Sequence, residues 1–404
     1  MTARERFLAT MTFGRPDRIP YLFGWPREST FAAWYKQGLS RDTDFYRWLG
    51  YDHWEGLPVN LGPLPAFEEV VLEETARYKV WIDNLGAKRL DHKVLPTPGF
   101  VTRKWLEFPV KNRGDWGEMR RRYDAGTSGR LPQDWQERVA RYRSRDFVLG
   151  LTIQSMFWRV RDWVGFEGLC MMFHDDPALV REMMGHVVDL TIAVLDEPLR
   201  QVDVDYVYFN EDMAYKTASM ISPAMVKEFL WPGYRRLVRF FRERGVSVLI
   251  MDCDGHIGEL IPLWLDVGIS CVSPVEVAAD NDPVAYRKRF GRDLLMMGGI
   301  DKRELRFDKE RVRREVLSKV PWLIEQGGYI PEVDHGVPPD IPLRNFLYLC
   351  ELIKQIACGG SPQLWEPTGE LEAQLGPIEE LWRPEMALPP DEEAGVVEAG
   401  RAKR

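Results

Sequence analysis

The chain offers little for cross-linking or for soft metal binding. Its 404 residues contain five cysteines. Cys170, Cys253, Cys271, Cys350 and Cys358 are odd in number, scattered, and never spaced as CxxC. A disulfide framework and a sulfur-rich zinc site are therefore disfavoured, and a reducing, cytoplasmic setting is expected. No apolar run reaches the ~18 residues that a bilayer span needs. The opening Met1-Thr2-Ala3-Arg4-Glu5-Arg6 is charged where a signal peptide would carry an apolar core, so no membrane role is expected. A basic excess is also missing: 54 Lys and Arg against 62 Asp and Glu leave a formal charge of −8. With no basic stripe interleaved with aromatics, nucleic acid is not an expected partner.

What is present suits a large buried core, since 45% of residues are hydrophobic and 12% aromatic. Length alone allows one barrel with elaborations or two average domains. From about residue 200, short β-rich runs alternate with helical patterns, the rhythm of parallel strands joined by crossover helices. The runs are 205–210, 246–251, 269–273, 294–298 and 329–333, with earlier ones at 19–24 and 147–152 and a weaker one at 52–57. Seven or eight such runs predict a closed barrel. Asp176-Pro177, Ser222-Pro223 and Asp282-Pro283 each place a capping side chain before a proline at the first helical position. Gly245 and Gly291 then end two of those helices shortly before a strand.

The segment 76–111 breaks the rhythm. Tyr78–Asp83 and Lys88–Val94 flank Asn84-Leu85-Gly86, which predicts a β-hairpin insertion, placed to cover one mouth of the barrel. The expected organisation is a single α/β domain, a (β/α)8 TIM barrel over 1–360 with an N-terminal helical extension. A C-terminal extension covers 361–404 and is expected to be disordered from about 384, where Pro, Glu, Ala and Gly dominate.

Barrel enzymes carry their chemistry at the C-terminal strand ends. The run 246–251 leads into Asp252-Cys253-Asp254-Gly255-His256, and a period of two sends Asp252 and Asp254 to one side with Cys253 facing away. Two converging carboxylates suit proton transfer or metal ligation, while a plain helix cap is the competing role for Asp254. The run 329–333 leads into Asp334-His335-Gly336-Val337-Pro338-Pro339, where His335 can act as metal ligand, general acid or carboxylate donor. Glu211, Asp212 and Glu276 ring the same mouth as catalytic or supporting acids. Asp301 follows Gly298-Gly299-Ile300, a pair of glycines that suggests close backbone approach to a ligand. Trp158, Trp163, Met171 and Met172 read better as core than as pocket wall. His53, His92, His174 and His186 read as surface or packing residues.

Several separated motifs carry a family resemblance. They are Arg4-Glu5-Arg6-Phe7 with Arg15-Pro16-Asp17-Arg18-Ile19-Pro20, Ser222-Pro223 with Trp231-Pro232, Asp252 to Gly255, Gly298-Gly299-Ile300-Asp301, and Asp334 to Pro339. Over roughly residues 3–355 the chain resembles the uroporphyrinogen decarboxylase superfamily, which holds haem-pathway decarboxylases and corrinoid-linked methyltransferases. The decarboxylases carry Arg-Gln-Ala-Gly-Arg after the first strand. Here the stretch reads Phe23-Gly24-Trp25-Pro26-Arg27-Glu28, so only Arg27 could hold a carboxylate, and Trp25, Arg27 and Asp301 are the expected substrate contacts.

The methyltransferase branch resembles the chain better. Its zinc motifs, His-x-Cys-Gly and Cys-Gly-x-Pro-Pro, fall on Asp252, Asp254 and His335, and the resemblance thus implies a harder metal site, zinc or another ion, on oxygen and nitrogen donors. It implies demethylation of a small methoxylated substrate, with Glu211, Asp212, Glu276 or His335 handling protons. The methyl group would pass to a corrinoid on a partner protein, because no Asp-x-His-x-x-Gly corrinoid motif occurs in this chain. A homodimer is a weaker implication. Porphyrinogen decarboxylation and a non-catalytic binding barrel are the competing functions.

Overall fold

The computed structural model describes residues 1–93 and 103–359. Its first five strands are β1 (Trp54–Gly56), β2 (Val70–Glu74), β3 (Tyr78–Ile82), β4 (Lys88–His92) and β5 (Arg103–Glu107). Six more follow: β6 (Val148–Gln154), β7 (Tyr206–Asn210), β8 (Val248–Asp252), β9 (Cys271–Ser273), β10 (Leu295–Ile300) and β11 (Tyr329–Val333). β1 and β6 to β11 form one curled parallel sheet in chain order. Helices join its strands, as expected for a TIM-barrel-like fold.

The eighth strand expected at 19–24 is a stave rather than a ladder. It lies between the two edges of the sheet: Val333 N–H donates to Phe23 O and Asp52 N–H to Tyr21 O, both at 3.2 Å. A little further on, Val337 N–H reaches Trp25 O at 2.8 Å. Pro20 and Pro26 have no N–H to give, so regular pairing cannot propagate. Gly24 has φ +146°, and a Cβ there would lie 2.9 Å from Val337 Cγ2. The seam therefore needs glycine at that point.

The strands are buried on both faces, as parallel sheets are. One parity points inward. Val148, Val248, Ile250, Cys271, Leu295, Met297 and Ile330 pack with Phe7 and Met11, and Tyr206 and Tyr208 join them. The other parity, including Leu149, Val207, Leu249 and Met296, packs under the surrounding helices. Phe7 and Met11 come from the helix Ala3–Met11, which plugs the end of the barrel where the strands begin; Phe7 meets Trp54 and Tyr206 edge-on. Arg6 bonds Asp17 and Asp52, and Arg18 also bonds Asp52. The arginine-rich opening motif thus clamps the plug to the stave. Within the inner core, Gly150 makes room for Tyr206, because a Cβ there would lie 1.9 Å from the ring.

The predicted caps form: Asp176 accepts from Leu179 N–H, Ser222 from Met225 N–H, and Asp282 from Val284 N–H. The helix after Ser222 contains a wider turn at Val226–Leu230 before continuing as Trp231–Glu243. Pro232 explains it, since its ring and missing N–H prevent a regular bond there.

The insertion is larger than the expected hairpin. β3 and β4 pair as predicted across 83–87, but β2 and β5 extend them to a four-stranded antiparallel sheet. β2 escaped notice because Val70-Val71-Leu72-Glu73-Glu74 does not alternate. This sheet contributes no side chain to the cavity described below, so the expected cover over the barrel mouth is not seen there. The expected disordered tail from about 384 lies outside the described residues.

Candidate active site

The inward parity that fills the core turns polar at the strand ends. Tyr206-Tyr208 continues to Asn210, Val248-Ile250 to Asp252, Cys271 to Ser273, and Ile330 to Glu332, and all four ends line one cavity of about 290 Å³. Trp25, Trp158, Asp212, Asp254 and His335 complete its polar and aromatic wall. Asp252, Asp254 and His335, distant in sequence, therefore share one volume. Asn210 Oδ1 is buried there without a hydrogen-bond partner among the described residues, a site for a donor on a ligand. Trp158 is a cavity residue rather than core, because it starts the helix Met156–Val164 directly above β6.

His335 is fixed from two sides. Its Nδ1 lies 3.0 Å from an Arg27 guanidinium nitrogen, and its Nε2 lies 3.0 Å from Asp254 Oδ2. Arginine can only donate, so Nδ1 accepts and Nε2 carries the proton that it gives to Asp254. Arg27 reaches this position because residues 25–27 pair with 337 across the barrel seam. Asp254 N–H in turn donates to Asp212 Oδ1 at 3.0 Å, and Asp212 itself sits at φ +32°, an uncommon conformation for a non-glycine residue.

The carboxyl groups differ in their hold on a proton. Burial pushes Glu332 up to about 8, against a hydrogen bond from Trp25. Burial and the neighbouring charge of Asp254 push Asp212 up to about 6, and burial with Asp212 and Asp254 nearby raises Asp252 well above the usual carboxylate range. Asp254 goes the other way. Burial opposes its ionisation, but the His335 hydrogen bond and the charges of Lys302 and Arg27 hold it below the ordinary value. One cavity thus holds proton donors and an ionised, hydrogen-bonded carboxylate.

Comparison with known proteins agrees with this architecture. Residues 160–356 match the model of the uroporphyrinogen decarboxylase (URO-D) family. The chain is 26% identical over 193 residues to the uroporphyrinogen decarboxylase of Gloeobacter violaceus, covering 45% of this chain and 53% of that protein. It is 23% identical over 197 residues to that of Nitratiruptor, covering 47% and 53%. The chain thus spans about half the length of the curated relatives it matches. A methyltransferase from Methanosarcina mazei superposes with TM-score 0.57 at 13% identity, covering 88% of this chain and 99% of that one, a likeness of fold. No helix among the described residues is long and apolar enough to cross a membrane.

Other expected site residues lie elsewhere. Glu211 is fully buried behind the cavity, accepting from Phe157 N–H and Trp158 N–H and from the Tyr234 hydroxyl; burial holds it up near 7. It anchors the start of the helix Met156–Val164 and does not face a substrate. Glu276 accepts from Gly255 N–H and pairs with Lys302 at 3.0 Å, so it belongs to an adjoining cavity. Asp301 is held by Arg303 at 2.8 Å and lines neither cavity. Gly298 and Gly299 approach protein, not ligand: a Cβ on Gly298 would lie 1.8 Å from Pro274 O.

Asp252, Asp254 and His335 do not fit a resident metal ion as arranged. Among the described residues no three His, Cys, Asp or Glu side chains gather around one point. Both ring nitrogens of His335 are already engaged, and the one facing Asp254 bears the proton that a metal would have to displace. The residues that sequence reasoning overlooked are Glu332 and Asn210. Counting by twos along each strand from its buried tyrosine or isoleucine reaches both.

Proposed function

We propose that the chain is a methyltransferase that demethylates a small methoxylated compound, with proton transfer supplied by its own carboxyl groups. The observation that carries this reading is the joint presence, in one cavity of about 290 Å³, of raised Glu332 and Asp252 and the ionised Asp254 bonded to His335. The alkoxide of a methyl ether is a poor leaving group until its oxygen receives a proton as the C–O bond breaks. Glu332, protonated near neutral pH, or Asp252, whose hold on a proton is raised by burial, gives that proton and is left as the carboxylate. Asp212 then returns to it a proton from solvent. His335, fixed by Arg27, sets the position of Asp254, and Trp25 and Trp158 supply apolar walls for the substrate ring. A corrinoid carried by a partner protein supplies the nucleophile that accepts the methyl group.

Four acids line this cavity, and Arg27 beside it is engaged with His335. A porphyrinogen with its eight carboxylates would find no cationic side chain among the residues lining this cavity to pair with them. The direct test mixes the purified protein with chemically reduced cobalamin and a panel of small methoxylated aromatics and aliphatics. Appearance of the methylcobalamin spectrum together with the demethylated alcohol or phenol is expected. Conversion of uroporphyrinogen III to coproporphyrinogen, with no methylcobalamin formed, would overturn the reading in favour of decarboxylation.

A further inference from the structure

We propose that the cationic cavity adjoining the acidic one is a subsite for a single carboxylate on the substrate, the rest of which reaches past Asp254 to the acids. This rests on the demethylation reading. The second cavity has a volume of about 420 Å³ and shares the Asp254 wall with the first. Its lining carries Lys216, Lys302, Arg303 and Arg306 against Asp254 and Glu276. The polarity reverses across one residue.

Three of the four cations already have an acid: Lys302 pairs with Glu276, Arg303 with Asp301 and Arg306 with Asp340. Asp301 and Asp340 lie outside the lining, whereas both arginines belong to it, each with five N–H donors. Lys216 makes no ion pair among the described residues. Glu276, Asp301 and Asp340 balance three of these cations and Arg27 stands against Asp254, which leaves Lys216 to match one carboxylate better than a doubly charged phosphate. The turn that holds Lys216 is fixed in place. Tyr215 N–H donates to Ala218 O and His256 N–H to Tyr215 O, both at 2.8 Å. Gly255, at φ +84°, lets Ala214 O and Tyr215 O come within 2.7 Å of where a Cβ would stand. The ammonium is therefore carried on backbone packed directly against the residue that follows Asp254.

An anchor of this kind selects methoxylated acids over their neutral counterparts and sets which end of the molecule enters the acidic cavity. The test is calorimetric binding of 4-methoxybenzoate and of 4-methoxybenzamide to the protein without cobalamin. The acid is expected to bind at least about fivefold more tightly than the amide. Lys216→Gln should remove most of that preference and Lys216→Glu should invert it, both leaving amide affinity unchanged. Equal binding of acid and amide, no binding of the acid, or a preference indifferent to Lys216 overturns the subsite. Because no methyl acceptor is present, failure of methyl transfer leaves this measurement standing, and loss of the preference leaves methyl transfer to a neutral substrate standing.

Discussion

His335 and Asp254, 81 positions apart in the chain, meet with Nε2 and Oδ2 separated by 3.0 Å. Arg27 fixes which partner holds the proton, since a guanidinium 3.0 Å from Nδ1 leaves that nitrogen only the acceptor role. In the neutral ring, nitrogen-15 NMR should therefore place the proton on Nε2. In Arg27→Met the tautomers should mix. A protonated Nδ1 in the unsubstituted protein would contradict the arrangement. His335→Ala should lower kcat/KM for demethylation by about 10²-fold or more, and Arg27→Met by less.

Glu332 makes the pH dependence specific. Its folded value near 8 stands above its unfolded one, which is near 4.5, so between those pH values the native state binds more protons than the unfolded chain. Stability then falls as pH rises through that window, at up to ~1.4 kcal/mol per pH unit from this one group. Glu332→Gln should flatten the decline when urea midpoints are compared from pH 5 to pH 9. If Glu332 is the proton donor, the same substitution should also slow turnover and remove an alkaline limb near pH 8.

Glu211 offers a contrast, because it is buried away from the cavity and holds two backbone N–H groups and the Tyr234 hydroxyl. Glu211→Ala should cost ~3 kcal/mol of stability by orphaning those donors. KM measured well below the melting temperature should barely move. A large KM change without loss of stability would place Glu211 back at the substrate.

Tyr206 fills the space that Gly150 leaves in the inner core. Gly150→Ala should lower stability by ~1–3 kcal/mol. Combining it with Tyr206→Leu should recover part of that loss, visible as a positive coupling in a double-mutant cycle.

Metal content follows from the same geometry as the tautomer. With both His335 nitrogens engaged and no three-donor cluster among the described residues, elemental analysis of purified protein should find well under one equivalent of zinc. One full equivalent, lost in Asp254→Ala, would show that Arg27 leaves the ring to make way for an ion.

Sequence periodicity exposed the strands with strong β-branched runs and the helices with Asp-Pro or Ser-Pro starts, because those signals are local. The convergence of Asp252, Asp254 and His335 was also legible, since barrel topology brings strand ends to one mouth. The stave at 19–24 looked like a strand because its side chains are apolar, while its two flanking prolines decided its hydrogen bonding. Glu211 and Asp301 looked equivalent to Asp212 in the sequence. What separates them is which neighbour fills their hydrogen-bonding capacity, Tyr234 in one case and Arg303 in the other, and those partners lie 23 and 2 residues away with no pattern to announce them.

The stave carries a further implication. A segment tied to each neighbouring strand by single backbone bonds is the place where the cylinder opens at least cost, and its amides should exchange with solvent before those of β6 to β8. Trp25 and His335 line the acidic cavity from the two sides of that seam, so a ligand touching both would act as a clasp. Substrate capture and closure of the wall would then be a single event, with Arg27 brought to its histidine as the lips meet.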